Sequence, residues 1–276
     1  FEEGGALHEL IHDEYSDLSL THSPEFTRVS TGEEALALLA GERAIDLVIT
    51  TPHIEDLHPL QLVKKAREGG RDVPIVLLAF DNRELADLLA HPLASLFSGI
   101  FVWQGDFRLI IAIIKQLEDR MNVGRDTGAG GVQSIILIED NIRFYSSFLP
   151  LIYTEILKQS QRLISEGVNP SQKFLRMLAR PKILLCTRFE EAWSYFEEFE
   201  EQILGVISDV DFQRNGRQDP EAGIEFARRV KKRLSDIPVL LQSNLPANAA
   251  KALEVGALFA MKDSPFLLEE VRRFIE

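Results

Sequence analysis

The chain has 276 residues, of which 45% are hydrophobic, and its formal net charge at pH 7 is -13. This length indicates about two domains with proper cores, and the negative charge disfavours binding of this chain to the phosphate backbone of a nucleic acid. The apolar runs are too short to span a membrane, and the single cysteine excludes a disulfide scaffold and favours a reducing, cytoplasmic location.

The first motif along the chain matches the H-E-x-x-H pattern of zinc peptidases, with His8, Glu9 and His12 in the required spacing. On a helix this spacing places both histidines on one face, and Glu33 or Glu34 would be the candidate third ligand. Side chains four residues apart on any helix share a surface in the same way. We therefore interpret the motif as an ordinary helix surface and give the zinc interpretation little weight.

Three strand-like apolar runs follow in the first half of the chain, and they end in Thr51, Ala79 and Trp103. Helical patterns lie between these runs, which predicts a parallel sheet. The predicted strands cover 46–51, 74–79 and 99–103. Because no strand precedes the first helix and the chain has no initiator Met, we expect a fragment of a longer protein whose first domain is incomplete at its N-terminus.

A glycine-rich segment, 123–133, separates the two halves. Glycine clusters of this kind are typical of flexible connections between domains. We therefore predict a first domain over residues 1–122, a linker over 123–133 and a second domain over 134–276.

The second half alternates strands and helices five times, a (βα)5 pattern that predicts a doubly wound parallel sheet with helices on both faces. The predicted strands are 134–139, 182–187, 203–209, 238–243 and 258–262, and the predicted helices start near 142 and cover 190–199, 222–235, 246–255 and the residues from 266 onward. Cys186 lies inside the second of these strands, where we expect a buried structural thiol.

Residues 141–181 are more than one helix and a short loop require. Apolar residues recur there at helical spacing: Tyr145, Phe148, Leu149, Ile152, Ile156, Leu163 and Ile164. Pro150 and Pro170 are candidate points for a kink or a helix start. Two interpretations remain open, a lengthened first helix that packs on its own domain, which we favour, and a docking or dimer surface.

Carboxylates stand at the ends of two predicted strands, Glu139 and Asp140 after the first and Asp209 after the third. In a doubly wound sheet the carboxyl ends of adjacent strands share one crevice, so the three acids are expected to form one pocket. An oxygen-only set of this kind suits Mg²⁺, which commonly recruits a phosphoryl group. Ser243 and Lys262 end the next two strands, where a hydroxyl and an ammonium would contact phosphoryl oxygens.

These acids are also common as helix caps and loop residues at strand ends. Capping explains any one of them, but it does not explain the order of acid pair, single Asp, Ser and Lys on successive strands. That order resembles the receiver domain of two-component response regulators, over residues 134–276. The resemblance implies a flavodoxin-like fold, and it makes Asp209 the phosphoacceptor, which receives its phosphoryl group from a histidine kinase or phosphotransfer protein with Mg²⁺ as cofactor.

The resemblance also assigns the surrounding residues. It makes Asp140 the direct Mg²⁺ ligand and Glu139 a carboxylate acting through water, and it uses the backbone carbonyl of Asp211 for the metal. Ser243 becomes the switch hydroxyl, and Lys262 the phosphate-binding lysine. Phe259 matches the aromatic residue of the switch but lacks a phenolic hydroxyl, so the resemblance implies a switch that works by packing.

The first half repeats this strand order without its chemistry, because Thr51, Ala79 and Trp103 stand where Asp209, Ser243 and Lys262 would be expected. We interpret the chain as a tandem of a degenerate and an intact receiver, with two flavodoxin-like parallel sheets. The resemblance implies a non-enzymatic phosphoacceptor whose output module or partner lies outside this chain, with a second copy of the chain as a candidate partner.

Two other interpretations stay open. One is a docking or dimerisation module that is never phosphorylated. The other is a phosphohydrolase of the haloacid dehalogenase kind, because Asp209-Val-Asp211 fits D-x-D, although that class expects its Asp on the first strand. The polar segment 214–221 is longer than the corresponding loop of receivers, and we expect it to be solvated, with a position over the site from which access could be gated.

Overall fold

The computed structural model describes residues 6–165, apart from residues 19, 21 and 71, and residues 180–275. The chain divides into two compact units, Phe1–Leu117 and Glu118–Glu276. In the described ranges no helix is sufficiently long and apolar to cross a membrane.

The first unit contains a three-stranded parallel sheet in the order β1-β2-β3. Its strands are β1 (Val48–Thr50), β2 (Ile75–Ala79) and β3 (Gly99–Val102), and its helices are α1 (Ala6–Asp17), α2 (Gly32–Ala40), α3 (Pro59–Glu68) and α4 (Asn82–Leu89). The next helix, α5 (Arg108–Val123), contains the residue at which the two units divide. All three predicted strands of this half are confirmed, each slightly shorter than predicted.

Local sequence signals start these helices. Thr31 and Glu34 form a reciprocal capping box at the start of α2. Pro59 occupies the first position of α3, and the Asp81 side chain accepts a hydrogen bond from the Arg83 N–H to begin α4. Every residue of β2 is buried, as expected for the central strand of three.

The second unit is built on a five-stranded parallel sheet. Its strands are β4 (Ser134–Ile138), β5 (Lys182–Cys186), β6 (Ile203–Asp209), β9 (Val239–Ser243) and β10 (Leu258–Met261), which pair in the order β10-β9-β6-β4-β5. Counted within the unit, this is the order 2-1-3-4-5 of flavodoxin-like folds. The predicted fold class is therefore confirmed for this unit.

Helices cover both faces of this sheet. They are α6 (Ile142–Ser165), α7 (Phe189–Glu198), α8 (Ala222–Arg233), α9 (Asn248–Glu254) and α10 (Leu267–Ile275). Ile136 and Ile138 of β4 belong to a buried apolar cluster with residues of α7, α8 and α9. On the other side α10 packs against α6, and Arg272 pairs with the buried Glu155 across 2.9 Å. The thiol of Cys186 is buried, as predicted.

The lengthened helix α6 packs on its own unit. Its side chains Tyr145, Phe148, Leu149, Ile152 and Ile156 are all at most 5% exposed. This burial supports the interpretation of residues 141–181 as an enlarged first helix over its first four turns. The side chains of Leu163 and Ile164, and residues 166–179 with Pro170, lie outside what the structure describes.

The first seven of residues 123–133 are helical. Gly124–Ala129 form one π-helical turn that continues α5, and Thr127 is fully buried with its hydroxyl 2.9 Å from that of Ser134. Glycine content indicated a flexible linker, but these contacts attach the segment to the second unit.

The polar segment 214–221 contains the turn and second strand of a hairpin. The hairpin is antiparallel and consists of β7 (Phe212–Arg214) and β8 (Arg217–Asp219). Residues 214–221 are exposed or only partly buried, as predicted, and the hairpin is anchored just before them by Phe212, which is completely buried in the apolar cluster.

Candidate functional site

The predicted acids lie at the carboxyl ends of two neighbouring strands, β4 and β6. β4 is flanked by β5 on one side and β6 on the other. The loops that follow β4 and β6 therefore diverge to opposite faces and open a crevice at the carboxyl ends of the strands. Glu139 and Asp140 directly follow β4, and Asp209 is the last residue of β6.

The three acids converge in this crevice. One carboxylate oxygen from each of Glu139, Asp140 and Asp209 lies within 4.8 Å of the others. Glu139 is only 1% exposed and Asp209 only 8%. Glu139 and Asp209 are therefore part of the interior, and Asp140 is half-buried at its edge.

Lys262 reaches the same crevice from the end of β10. Its Nζ lies 2.6 Å from Asp209 Oδ2 and 2.6 Å from Glu139 Oε2, and its side chain is 4% exposed. The Phe144 ring, 4.5 Å away, covers the ammonium. Burial alone would lower the pKa of Lys262, but the charges of Glu139 and Asp209 outweigh it and raise this pKa.

One ammonium does not balance three carboxylates. Burial raises the pKa of Glu139 to about 7, an effect that the attraction of Lys262 opposes and the repulsion of Asp209 reinforces. Burial also raises the pKa of Asp140. The crevice therefore holds an excess of negative charge that further positive charge would stabilise.

Backbone groups orient Asp209. The Val210 N–H donates to Asp209 Oδ1 at 2.6 Å, which leaves Oδ2 facing Lys262. Gly223, in the first turn of α8, lies directly against this backbone and donates from its N–H to the Val210 carbonyl at 3.0 Å. A Cβ at position 223 would overlap the Asp209 carbonyl oxygen, so a glycine is required there.

The sequence analysis did not single out Gly223. Its one sequence signal is a glycine in the first turn of a helical pattern, where glycine weakens a helix.

Ser243 ends β9 with its hydroxyl turned into the following loop. Its Oγ accepts hydrogen bonds from the Leu245 N–H at 3.1 Å and from the Asn248 side chain at 3.0 Å. The Lys262 N–H donates to the Ser243 carbonyl, which joins the two strand ends. Phe259 is partly buried against the apolar cluster. The switch roles of Ser243 and Phe259 stay predictions.

The backbone carbonyl of Asp211 and the carboxylate of Asp140 accept hydrogen bonds from the same side chain, that of Gln218. Gln218 Nε2, from the hairpin, donates to the Asp211 carbonyl at 3.2 Å, to Asp211 Oδ1 at 3.0 Å and to Asp140 Oδ2 at 3.3 Å. Sequence reasoning missed Gln218, because nothing in a polar loop marks which residue turns inward.

This donor set fits a hard divalent cation. Glu139, Asp140, Asp209 and the Asp211 carbonyl offer oxygen atoms only, without histidine or cysteine, as Mg²⁺ prefers. The Asp140 and Asp211 oxygens already accept hydrogen bonds from one amide group, so both face the same positively polarised donor.

The first unit places different side chains at the corresponding edge. Ala79 pairs with Val102 as Ser243 pairs with Met261, so Trp103 and Lys262 occupy the same position after the last strand. Thr51 follows Thr50, which pairs with Leu77, and this register matches Thr51 to Asp209. The Thr51 hydroxyl donates to the His53 carbonyl at 2.9 Å.

The H-E-x-x-H residues behave as an ordinary helix surface. His8, Glu9 and His12 are exposed on α1 and join no metal-binding group within the described parts of the chain. Glu34 closes the capping box of α2, and Glu33 pairs with Lys65 at 2.7 Å.

The second unit is therefore a doubly wound α/β domain with an acidic, lysine-bearing crevice at its switch point. No model of a known protein family matches the chain. The chain is 31% identical over 90 residues to the two-component response regulator ORR5 of Oryza sativa subsp. japonica, and equally to that of subsp. indica; the match spans 29% of this chain and 67% of each relative. The chain belongs to the family of two-component response regulators.

Two solved structures align with almost the whole chain. One is a probable two-component system response regulator/GGDEF domain protein, with a TM-score of 0.36, 14% identity, and coverage of 97% of this chain and 92% of that one. The other, a putative protein of the same description, gives a TM-score of 0.38 at 14% identity and covers 97% and 94% of the two chains. Because both TM-scores are low, the fold assignment rests on strand order and register.

Proposed function

We propose that the second unit is a receiver that accepts a phosphoryl group on Asp209 from a phosphohistidine of a histidine kinase or phosphotransfer protein. The observation that carries this proposal is the convergence of Glu139, Asp140, Asp209 and Lys262 in one crevice at the switch point of the sheet. Membership of the response regulator family supports it.

Asp140, Asp209 and the Asp211 carbonyl would hold Mg²⁺, with Glu139 acting through water. Bound there, Mg²⁺ would supply positive charge to the carboxylates and to the phosphoryl oxygens. The cation's identity follows from the oxygen-only donor set and from the resemblance to receivers.

Transfer requires one bond to form and one to break. An Asp209 carboxylate oxygen attacks phosphorus, and the phosphorus–nitrogen bond to the donor imidazole breaks, with its electron pair leaving on that nitrogen. The product is an acyl phosphate on Asp209. The Val210 N–H and the close approach of Gly223 keep the carboxylate in a fixed orientation before the attack.

Lys262 and Ser243 respond to the new group. The Lys262 ammonium, already 2.6 Å from Asp209 Oδ2, pairs with phosphoryl oxygens. Ser243 gives up its bonds with Leu245 and Asn248 to donate its hydroxyl to the phosphoryl group, which pulls the loop after β9 toward the site. Phe259 repacks with that loop and changes the surface of β10 and α10.

The first unit would serve as a degenerate receiver that keeps strand order and register without the acceptor chemistry. Thr51 forms no acyl phosphate, and Ala79 and Trp103 provide neither the hydroxyl nor the ammonium.

The test is labelling by acetyl phosphate carrying a radioactive phosphoryl group, with Mg²⁺, in wild type and in Asp209→Asn. We expect labelled wild type and unlabelled Asp209→Asn. Asp236→Asn is the matched control, because Asp236 is exposed and precedes β9 at the opposite end of the sheet, so its labelling should equal that of wild type. Equal labelling of Asp209→Asn would refute the assignment.

A second measurement separates the alternatives. Continued release of phosphate from a generic phosphate ester would indicate a phosphohydrolase instead. Absence of both labelling and Mg²⁺ binding by wild type would favour a docking or dimerisation module.

A further inference from the structure

The hairpin of β7 and β8 is fixed to the body of the second unit. Phe212 is fully buried and stacks on Phe189 at a centroid distance of 6.4 Å. The Arg214 guanidinium lies 5.0 Å over the Phe189 ring, and the Asn215 N–H donates to Glu190 Oε1 at 2.8 Å. The position of the hairpin is therefore set by contacts on the α7 side as well as by its two chain ends.

The turn of the hairpin fixes its register. Asn215 and Gly216 have φ of 52° and 71°, the left-handed conformations required at both central positions of a type I′ turn. This turn pairs Arg214 with Arg217 and Gln213 with Gln218. Directly opposed residues of an antiparallel pair share one face of the ribbon, so Gln213 and Gln218 project to the same side.

Of these two glutamines, Gln218 reaches the crevice. Its amide nitrogen donates to Asp140 Oδ2, the Asp211 carbonyl and Asp211 Oδ1 at 3.0 to 3.3 Å. Two of these three oxygens are ligands in the proposed Mg²⁺ site. Each oxygen has more than one lone pair, so the competition is for space: the amide group that contacts both ligand oxygens, at 3.2 and 3.3 Å, occupies the position that a cation bound to both at about 2.1 Å would need.

We propose that the Gln218 amide is a built-in competitor of the cation, placed by the hairpin on the Asp140 and Asp211 oxygens, so that Mg²⁺ binds only by displacing it. This inference rests on the proposed function, because it concerns the same cation site. Displacement breaks the hydrogen bonds from Gln218, so the competitor lowers the affinity for Mg²⁺. It also links occupation of the site to release of the Gln218 side chain from the crevice.

The test is a Mg²⁺ titration of the full chain followed by NMR, in wild type and Gln218→Met. Methionine keeps the length of the side chain and removes the N–H donors. We expect Gln218→Met to bind Mg²⁺ about three- to tenfold more tightly, the effect of losing hydrogen bonds that only the cation-free state makes. In wild type the side-chain NH₂ resonances of Gln218, identified by their absence from the variant, should shift in step with the titration.

Gln213→Met is the matched control. It makes the same chemical change on the same face of the same hairpin, and no hydrogen bond from the Gln213 side chain to Asp140 or Asp211 occurs among the described residues. Its Mg²⁺ affinity should equal that of wild type. Gln218→Ala provides a second variant in case the methionine disturbs folding, with the same expected direction.

The outcomes separate the inference from the function on which it rests. Equal Mg²⁺ affinity in wild type and Gln218→Met would overturn the inference alone. Weaker binding by Gln218→Met would also overturn it, by showing that Gln218 assists the cation through its carbonyl oxygen. Absence of Mg²⁺ binding by wild type and all three variants would overturn the proposed site and the inference with it.

Discussion

The two ends of the second unit's sheet each bury a cluster of charged side chains, but the clusters are balanced differently. At the amino end Asp119 is fully buried and faces Arg180 and Lys182. At the carboxyl end Lys262 is the one basic side chain, among the described residues, that pairs with the carboxylates of the crevice. Both clusters contain buried acids and bases, so they differ in charge balance and hydrogen bonding and not in degree of burial.

The amino-end cluster is complete. Asp119 accepts hydrogen bonds from both terminal nitrogens of Arg180, at 3.0 and 2.6 Å, from the Tyr153 hydroxyl at 2.9 Å and from the Ile183 N–H at 3.0 Å. Lys182 also pairs with Asp126 at 2.8 Å, so two acids meet two bases. A buried ionic network with its partners in place holds elements together, here α5, α6 and β5.

The carboxyl-end cluster is incomplete, because three acids meet one base and burial raises the pKa of Glu139 to about 7. A fold that keeps unbalanced carboxylates together gives up stability there, which is common at sites that bind a cation or a charged group. The two clusters therefore differ in charge balance, which separates a completed structural network from the candidate site. Substitutions at the two ends should have opposite effects on stability.

The largest effect is expected at the balanced end. Asp119→Ala leaves Arg180 and Tyr153 buried without their partner and should lower the free energy of unfolding by about 3–5 kcal/mol. Urea denaturation measures this loss, which should be the same with EDTA and with Mg²⁺. Asp126→Ala is the control, because Asp126 lies at the partly exposed rim, and it should cost about 1 kcal/mol or less. A loss of similar size for both variants would contradict the structural role of Asp119.

The sequence predicted the carboxyl end far better than the amino end. Asp209, Ser243 and Lys262 terminate apolar runs, and the ends of parallel strands meet at one edge, so local pattern was sufficient to bring them together. Asp119 lies inside a helical pattern, and its partner Arg180 is 61 residues away. No local sequence pattern indicates this long-range ion pair, because the pair depends on how α5, α6 and β5 pack.

Composition did not reveal the local structure of two segments. Residues 123–133 are rich in glycine, yet Thr127 is buried and bonded to Ser134. The polar segment 214–221 is largely exposed, as predicted, but its composition did not indicate that it belongs to a hairpin anchored by the buried Phe212. Composition reports average preference for solvent, whereas one buried side chain is sufficient to fix a short segment.

The second prediction concerns pH and the unbalanced end in Mg²⁺-free buffer. Glu139 has a pKa of about 7 in the folded protein against an ordinary value of 4.5, so the folded state binds its proton more tightly than the unfolded state. This proton stabilises the fold fully below about pH 4.5, and the stabilisation is lost as the pH rises through about 7. The loss should amount to about 1–3 kcal/mol.

Glu139→Gln keeps the shape of the side chain without its charge. In EDTA its free energy of unfolding at pH 7.5 should exceed that of wild type, and the fall between about pH 4.5 and 7 should be smaller. Chemical denaturation over this pH range measures both. Glu197→Gln, on the exposed surface of α7, controls for the loss of an acid elsewhere. An unchanged pH dependence in Glu139→Gln would contradict the assignment of the effect to this crevice.

The smallest effect sharpens the contrast between the two ends. Asp140 is half-buried beside Asp209, and its pKa is raised chiefly by burial and further by that neighbouring charge. Asp140→Asn removes one of the repelling carboxylates and should raise the free energy of unfolding in EDTA by about 0.5–1 kcal/mol, a value reduced by solvent screening. Removal of an acid would thus stabilise the carboxyl end, whereas removal of Asp119 destabilises the amino end.

Mg²⁺ should reverse the order of stability of wild type and Asp140→Asn. Wild type gains about 1.4 kcal/mol when Mg²⁺ is present at roughly ten times its dissociation constant, because the folded state alone binds the cation. Asp140→Asn should gain much less, and Asp236→Asn, changed at the opposite end of the sheet, should gain as much as wild type. If Asp140→Asn is less stable than wild type in EDTA, its carboxylate is part of a completed structural network, and charge balance does not separate the two ends.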